Sequence, residues 1–318
     1  MNDNQGRSNF DKIIVVDVNP GNDELTKELI IGKFSKVIKN VSSYQHVVLM
    51  SHSNLHLLLK LVSDVGLKNG FLISDYGARI YDLKNNRIIY ENAIGQTEVN
   101  AIVHYGIMQN ALVLASGETR EYAYSLDQLN AIALQKRHYL PLLYTNDYAK
   151  FSKFIHSLPT FSIMLFQKRR TTMLANFEEL NHVIKDWNVT INIGQSSYFI
   201  ATDVNSTKYQ ALLRVIEHVK ITNFDCVYYY AINSIDEQCL KSFKNHLIHQ
   251  EIAFNSNYIN EFDIQANVDE ISDRMYRLTF VNAPTYSNSK KFHTEEVINK
   301  ELYTEIMQTA NITKKNHT

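Results

Sequence analysis

The hydrophobic pattern of the chain alternates between short apolar runs and longer amphipathic segments. A β-branched run, KIIVVD, ends on Asp17 and a turn-rich segment, and HVVLM at residues 46–50 is a second run of the same kind. Apolar runs of this length that are bounded by turn residues are typical of buried strands in a parallel sheet. Residues 24–41 and 54–65 instead have the spacing of amphipathic helices. This alternation predicts an α/β fold with a parallel sheet.

A predicted hairpin interrupts this alternation. Residues 71–74 form a third apolar run, and the two strand-like runs after it flank an Asn85-Asn86 turn. Paired asparagines between such runs favour a tight hairpin turn. From about residue 83 to residue 197 the chain mixes helical patterns with short strands such as SIMLF and NVTINI. We therefore expect an α+β segment inserted into the wound sheet.

The helix and strand rhythm resumes in the last third of the chain. The pattern predicts helices over residues 207–219 and 236–247, on either side of a strand from residue 226 to residue 232. A late strand, RLTFV, is predicted to end at Val281, and a final helix is predicted over residues 293–308.

These elements predict two domains, as expected for a chain longer than a usual single core. The first is a three-layer α/β core made from residues 10–82 and 198–318. The second is an α+β domain formed by the insertion of residues 83–197. Residues 1–9 and 311–318 are expected to be flexible tails. Ligands are expected to enter between the two domains.

Composition limits the classes of protein to which the chain can belong. Of its 318 residues, 45% are hydrophobic and 20% are charged, which is typical of a packed globular protein and excludes a disordered or fibrous one. The formal net charge of −1 provides no overall field to attract nucleic acid or anionic lipid. We therefore expect no nucleic-acid partner.

The cysteines and the apolar runs indicate the compartment. Cys226 and Cys239 are too few for a disulfide framework, and their surroundings resemble a strand and a helix rather than a metal knuckle. No apolar run approaches the ~20 residues that span a bilayer. We expect a protein of the reducing cytoplasm without a membrane span.

Several phrases of the sequence resemble the motifs of one family, in the same order and over nearly the whole chain. They are IIVVDVNPG, VVLMSHS, LISDYGARIYD, DVNSTKYQALLRVIE, VYYYAINSIDEQCL and LTFVNAP. Together they resemble the Cof-like branch of the haloacid dehalogenase superfamily, whose members hydrolyse phosphate esters of sugars and other small metabolites. In that branch the first phrase carries D-x-D-G-T, and the fifth carries G-D-x-x-N-D.

The resemblance implies a catalytic role for Asp17. A carboxylate at this position attacks phosphorus, and water then hydrolyses the aspartyl-phosphate. The second carboxylate of the motif, which protonates the leaving alcohol, is replaced by Asn19. Ser51 and Lys208 stand where the family binds phosphate. An amide cannot perform the proton transfer, so we expect ordinary turnover to be impaired.

The resemblance also implies a magnesium site, with oxygen ligands from Asp17 and Asp236. Ile232 stands where the first Asp of G-D-x-x-N-D belongs, while Asn233 and Ser234 lie nearby. We therefore expect Mg²⁺ binding that is weak, rearranged or absent.

Each candidate residue also fits an ordinary structural role. Asp17, before a Pro-Gly turn, suits a local backbone cap. Ser51 and Asp236 equally suit helix N-caps. Lys208 equally suits a solvated position on the surface.

Two aromatic features have a structural and a functional interpretation. His52 and His56 have the spacing of two metal ligands on one helix face, but no third ligand accompanies them, so a structural role is favoured. His52 also replaces the Gly of the T-G-R phrase that the family has here. The Tyr228, Tyr229 and Tyr230 run places rings on both sides of a strand, which favours core packing with phenol groups that need partners.

The leading hypothesis is a degenerate phosphatase-like protein that binds a small phosphorylated metabolite, or a protein partner, with little or no hydrolysis. It rests on Asn19 and Ile232 together. One alternative is an active Mg²⁺-dependent phosphatase that uses Asp17 as its nucleophile. Another is a structural or interaction subunit.

Overall fold

The structure is a computed structural model in which two β-sheets carry the fold. No helix in the part of the chain that the structure describes is both long and apolar enough to cross a membrane. The described residues are 12–19, 32, 34–127, 143–167, 169–193, 198–232, 234–249, 265–266 and 268–280.

The strands follow the chain as short segments of two to six residues. They are β1 (Ile13–Asp17), β2 (His46–Met50), β3 (Phe71–Ser74), β4 (Arg79–Asp82), β5 (Arg87–Glu91), β6 (Leu112–Ser116), β7 (Glu121–Tyr124), β8 (Leu143–Thr145), β9 (Ser162–Phe166), β10 (Val189–Ile193), β11 (Tyr198–Asp203), β12 (Val227–Ala231), β13 (Asn245–His249) and β14 (Gln265–Ala266).

The helices lie between these strands and after the last of them. They are α1 (Phe34–Val41), α2 (Leu55–Val65), α3 (Gln96–Met108), α4 (Tyr148–Ser157), α5 (Arg170–Val183), α6 (Lys208–His218), α7 (Glu237–Ser242) and α8 (Val268–Phe280). Short 3₁₀ turns lie at Asp75–Gly77 and Phe224–Cys226.

The larger sheet has eight strands in the order β14-β13-β12-β1-β2-β3-β4-β5. The pairs from β14 to β3 are parallel, and β4 and β5 add an antiparallel hairpin at one edge. The predicted α/β fold with a parallel sheet is therefore confirmed. Asp17, the last residue of β1, lies level with Met50 of β2 and Ala231 of β12. Side chains that follow these three strands consequently meet at one edge of the sheet.

Helices cover both faces of this sheet, so the predicted three layers are present. On one face α1, α2 and α8 bury apolar residues against alternate positions of β1 and β2, such as Val16 and Leu49. On the other face α6 and α7 pack against the intervening positions, such as Val15 and Val48. Because both faces are covered, these strands carry continuous apolar runs, as buried parallel strands do.

The smaller sheet has six strands in the order β10-β11-β9-β6-β7-β8. Helices α3, α4 and α5 pack on one of its faces through residues such as Val103, Phe151 and Leu180. The opposite face buries a small apolar cluster that includes Tyr198, and Tyr76 of the larger sheet packs against it. The face that carries Tyr198 therefore lies against the edge where Asp17 lies.

The chain passes from one sheet to the other at residues that differ from the predicted domain boundaries. β5, at Arg87–Glu91, belongs to the larger sheet although residues 83–197 were assigned to the inserted domain. β11, at Tyr198–Asp203, belongs to the smaller sheet although residues from 198 onward were assigned to the core. The division into a core and an inserted domain stays a prediction. The predicted tails and the helix over residues 293–308 lie outside the described residues.

Two predicted elements near the C-terminal end are wrong. Residues 277–280 of the predicted RLTFV strand are the end of helix α8, because Ile271, Met275 and Leu278 recur at helical spacing and pack together into the core, while Val281 lies outside the described residues. The helix predicted over residues 236–247 stops at Ser242, and β13 follows it. Leu247 and Ile248 pack on opposite faces of the sheet, which is the period of a strand.

Candidate functional site

Asp17 is the centre of a buried polar cluster at the carboxyl edge of the larger sheet. Its side chain has no solvent exposure, and both of its carboxylate oxygens are engaged. Lys208 Nζ donates to Oδ1 over 2.6 Å, and the Tyr229 hydroxyl donates to Oδ2 over 2.7 Å. Buried charges are tolerated when they are paired and hydrogen-bonded in this way. Both carboxylate oxygens of Asp17 thus bond to side chains, and neither bond is the local backbone cap that the sequence also allowed.

The start of helix α6 positions Lys208. Thr207 caps the helix and forms a capping box with Gln210, which fixes Lys208 as the first helical residue. The turn that contains Gly77 packs against this point, and a Cβ at Gly77 would lie 2.2 Å from the Thr207 carbonyl oxygen. Gly77 also has a φ of +107°, so both its conformation and its surroundings require glycine.

Lys208 is fully buried, so the prediction of a solvated lysine at this position is wrong. Its ammonium also donates to Ser234 Oγ over 2.8 Å. Ser234 thereby joins the strand β12 side of the site to helix α6.

Tyr229 links Asp17 to the loop before α7. Its hydroxyl oxygen accepts the backbone N–H of Asp236 over 2.8 Å while its O–H donates to Asp17. Burial raises the pKa of Tyr229 well above its ordinary value, and the negative charge of Asp17 adds to this. The phenol therefore keeps its proton and acts as a donor toward the carboxylate.

Asp236 is the N-cap of helix α7. Its Oδ1 accepts the backbone N–H of Cys239 over 2.9 Å, which confirms the N-cap interpretation. Burial raises the pKa of Asp236, and the positive charge of Lys208 partly opposes that rise.

Ser51 and Asn19 lie in the loops next to Asp17. Asn54 rather than Ser51 caps helix α2, so the prediction of Ser51 as a helix N-cap is wrong. Ser51 Oγ instead accepts the backbone N–H of Ser53 over 3.0 Å. The Ser53 hydroxyl in turn donates to Asn19 Oδ1 over 2.9 Å.

His52 faces the interior of the site. Its Nδ1 lies 3.0 Å from the Tyr198 hydroxyl, which comes from the smaller sheet, while its Nε2 is buried with no hydrogen-bond partner among the described residues. Burial lowers the pKa of His52 well below its ordinary value, and the charge of Lys208 lowers it further. His56 is exposed, so the two imidazoles do not share a metal site.

Magnesium requires several free oxygen ligands, and the side chains around Asp17 do not offer them. Asp17 Oδ2 is already bonded to Tyr229, and Asp236 Oδ1 is the helix cap. Ile232 lies in an apolar cluster with Val16 and offers no ligand. Within the described ranges, no group of three or more His, Cys, Asp or Glu side chains is placed to hold a metal. These residues do not fit the magnesium arrangement that the resemblance implies.

The structure brings most of the predicted site residues together, while their roles stay predictions. Asp17, Lys208 and Asp236 share one network, and Ser51 and Asn19 adjoin it. Asn233 lies outside the described residues. The direct bond of Tyr229 to Asp17 was not predicted, although a phenol in a buried strand needed a partner. No sequence signal indicated Tyr198, since its partner is 146 residues away.

A second buried ion pair lies close by and was also missed. Arg79 Nε donates to Asp75 Oδ2 over 2.8 Å, and both side chains are buried. The guanidinium also donates to the carbonyl oxygens of Glu118 and Gly117, over 2.8 and 3.3 Å, in the smaller sheet. Asp and Arg four residues apart in DYGAR were the only sign of this pair. It ties the turn that carries Gly77 to the β6–β7 loop.

Comparisons with known proteins give consistent results. The family model for haloacid dehalogenase-like hydrolases matches residues 25–229. That range begins after Asp17 and Asn19 and ends before Ile232 and Asp236, so the match does not depend on the altered motifs at its two ends.

Among curated proteins, the chain is similar to the uncharacterized protein MG374 of Mycoplasma genitalium. The two are 24% identical over 215 residues, which cover 63% of this chain and 75% of that protein.

Solved structures share the fold at low identity. A haloacid dehalogenase-like hydrolase from B. subtilis has a TM-score of 0.64 and 12% identity, with 83% of this chain and 99% of that chain covered. The HAD subclass IIB sugar phosphatase BT4131 has a TM-score of 0.63 and 14% identity, with 84% and 98% covered. Because the family model spans more than half of the sequence, the chain belongs to the haloacid dehalogenase-like hydrolases, in their Cof-like branch.

Proposed function

We propose that this protein binds a small phosphorylated metabolite and hydrolyses it slowly or not at all. The observation that carries the proposal is the state of Asp17, whose two oxygens are held by Lys208 and Tyr229. A nucleophile must present a free lone pair to phosphorus, and hydrogen bonds to both oxygens lower its reactivity. The proton donor of the family is also missing, because Asn19 has no acidic proton to give.

Two features favour a phosphate group as the part that is bound. The Lys208 ammonium and the Ser51 hydroxyl lie at the carboxyl ends of parallel strands, where open α/β sheets place their ligands. A related fold belongs to a protein named as a sugar phosphatase, which makes sugar phosphates the first compounds to test.

Entry of the ligand requires local movement. Asp17 and Lys208 have no solvent exposure, and the Tyr76 ring is a neighbour of both the lysine and the His52 ring. We propose that the ligand enters as these rings and the Tyr198 face of the smaller sheet move apart. We further propose that the protein works in the cytoplasm and binds its ligand without Mg²⁺.

The test compares phosphate release with phosphate binding. Release from sugar phosphates and p-nitrophenyl phosphate is measured with Mg²⁺ for the unmodified protein and for Asp17→Asn. We expect equal, background release from both, together with a rise in melting temperature of the unmodified protein when a bound sugar phosphate is present. Magnesium-dependent release confined to the unmodified protein would instead identify an active phosphatase. No thermal response to any phosphorylated compound would favour an interaction subunit.

A reconstructed site provides a second test. In the triple variant Asn19→Asp, Ile232→Asp, Tyr229→Phe, the missing acid and a metal ligand return and Asp17 Oδ2 is released. We expect this variant to gain phosphatase activity that depends on Mg²⁺ and on Asp17. A folded triple variant that neither binds Mg²⁺ nor releases phosphate would contradict the assignment of these positions.

A further inference from the structure

His52 carries a polar atom with an unfilled hydrogen bond. Nε2 is buried without a partner among the described residues, and the whole side chain is 3% exposed. Buried polar atoms are normally paired, because an unpaired one destabilises the folded chain. This chain has His52 where its family has a glycine. The buried, unpaired Nε2 therefore calls for a physical reason.

A chain of hydrogen bonds determines which nitrogen of His52 carries the proton. The Ser53 hydroxyl donates to Asn19 Oδ1, which leaves the amide N–H groups of Asn19 as donors. Burial and the charge of Asp17 raise the pKa of Tyr198, and a hydrogen bond from Asn19 partly opposes that rise, as a donated N–H does. With its oxygen accepting from Asn19, the Tyr198 phenol is favoured as the donor to His52 Nδ1, 3.0 Å away. A neutral imidazole that accepts at Nδ1 has its proton on Nε2.

The surroundings of His52 favour a negatively charged ligand oxygen. The Tyr76 ring lies 5.0 Å from the imidazole and 5.9 Å from Lys208 Nζ, so the imidazole and the ammonium flank the same ring. The nearby positive charge and burial both keep the imidazole neutral. A proton on Nε2 would therefore give the Tyr76 ring two neighbours that can donate to an anion, the imidazole and the Lys208 ammonium.

We propose that His52 is a ligand-binding residue, whose Nε2–H donates to an oxygen of the phosphate group held in this site. The inference rests on the proposed function, and it adds the residue that recognises the phosphate. Asn19 takes a new role in it, because its amide orients the Tyr198 hydroxyl and so fixes the tautomer of His52. Since Tyr198 belongs to the smaller sheet, recognition of the ligand depends on contact between the two sheets.

The first experiment is calorimetric titration of the full chain with inorganic phosphate in the presence of EDTA. We expect His52→Leu to weaken phosphate binding about 10- to 100-fold, as the loss of a hydrogen bond to a charged group does. His52→Gln keeps an N–H donor of similar reach and should retain most of the affinity. His56→Leu, four residues further on and exposed, serves as the matched control and should bind like the unmodified protein.

The titration separates the two proposals. If the unmodified protein binds phosphate and His52→Leu binds it equally well, the role of His52 is refuted and the proposed function stands. If phosphate does not bind to the unmodified protein, both are refuted for this ligand.

The second experiment measures the tautomer by ¹⁵N NMR of the histidine side chains in the full chain. We expect His52 to carry its proton on Nε2, and the Nε2 resonance to move when phosphate is added. Tyr198→Phe removes the donor to Nδ1 and should give a mixture of tautomers, a result that a purely structural role would not produce. A proton on Nδ1 in the unmodified protein would overturn the proposal whatever the affinity.

Discussion

Two buried ion pairs lie next to each other in this protein, and they differ in the hydrogen bonding of the polar side chains around them. In the Asp75–Arg79 pair, the carboxylate accepts from Ser74, Arg79 and Ser116, while the guanidinium bonds two carbonyl groups and lies 4.2 Å above the Phe161 ring. In the Asp17–Lys208 pair, the hydrogen bonds are also made, but nearby His52 Nε2 is buried without a hydrogen-bond partner among the described residues.

The difference separates a structural cluster from a candidate binding site. Burial and charge are the same in both pairs, so neither property alone indicates function. The Asp75–Arg79 cluster is saturated in the sense that neither side chain has a buried nitrogen or oxygen atom without a hydrogen-bond partner. Its ion pair is local, with Asp75 and Arg79 four residues apart, whereas Ser116, Gly117 and Glu118 come from β6 and the loop after it. The Asp17 cluster is assembled from β1, β12 and α6, and near it His52 Nε2 has no hydrogen-bond partner among the described residues. We therefore regard the first cluster as a joint between the sheets and the second as the site.

The largest effect is expected at the saturated cluster. Arg79→Met leaves Asp75 buried without its cation, and breaking such a pair costs about 3–5 kcal/mol of the free energy of unfolding. Urea denaturation of the variant measures this loss. The control is Arg87→Met on the neighbouring strand, where an exposed side chain should change the stability by less than about 0.5 kcal/mol. A stable Arg79→Met protein would show that the joint does not depend on the ion pair.

Lys208→Met tests the second pair in the same way. It should cost about 3 kcal/mol, at the lower end of that range because Tyr229 still donates to Asp17. Adding Asp17→Asn removes the uncompensated charge, so the double variant should recover about 1–2 kcal/mol relative to Lys208→Met. A double variant that is less stable than Lys208→Met would mean that the lysine stabilises the fold by packing rather than by pairing.

Gly77 connects the two clusters, since it lies between Asp75 and Arg79 and contacts the start of α6. Gly77→Ala should cost about 2–3 kcal/mol, because the new Cβ meets the Thr207 carbonyl oxygen at 2.2 Å in a left-handed conformation. It should also weaken phosphate binding, as Lys208 shifts with its helix. Gly66→Ala has the same backbone restriction but meets only the flexible end of Lys39, so it should cost about 1 kcal/mol. Thermal unfolding of both variants distinguishes steric contact from backbone strain.

The sequence predicted the sheet and the edge where the site lies, but not the bonds within it. The apolar runs that end on Asp17 and at residue 50 determined two central strands, and the motif resemblance identified Lys208. The partner of Asp17 Oδ2 could not be predicted, because Tyr229 reaches it from two residues before the matching strand end. The RLTFV strand was wrongly predicted because a short apolar run fits a strand as well as a helix. Ile271 and Met275, which lie before the run, complete a helical period with Leu278.

The smallest effect concerns pH and distinguishes the clusters again, because the site contains His52, whose ordinary pKa of 6.5 lies near neutrality, and the Asp75–Arg79 cluster contains no histidine. Tyr76, Tyr198 and Lys208 face His52, and burial and the lysine charge hold its folded pKa well below 6.5. The unfolded chain therefore binds the extra proton first as the pH falls, so stability is present above 6.5 and is lost below it.

This loss should be about 1 kcal/mol over the pH unit below 6.5, and it should be absent from His52→Gln. Urea denaturation at several pH values gives the two slopes, and their difference isolates His52 from His46, whose pKa is also lowered. Identical slopes would mean that the imidazole is protonated in the folded protein. A charged imidazole would carry protons on both nitrogens, and the Tyr198 bond would then no longer determine which donor faces the ligand.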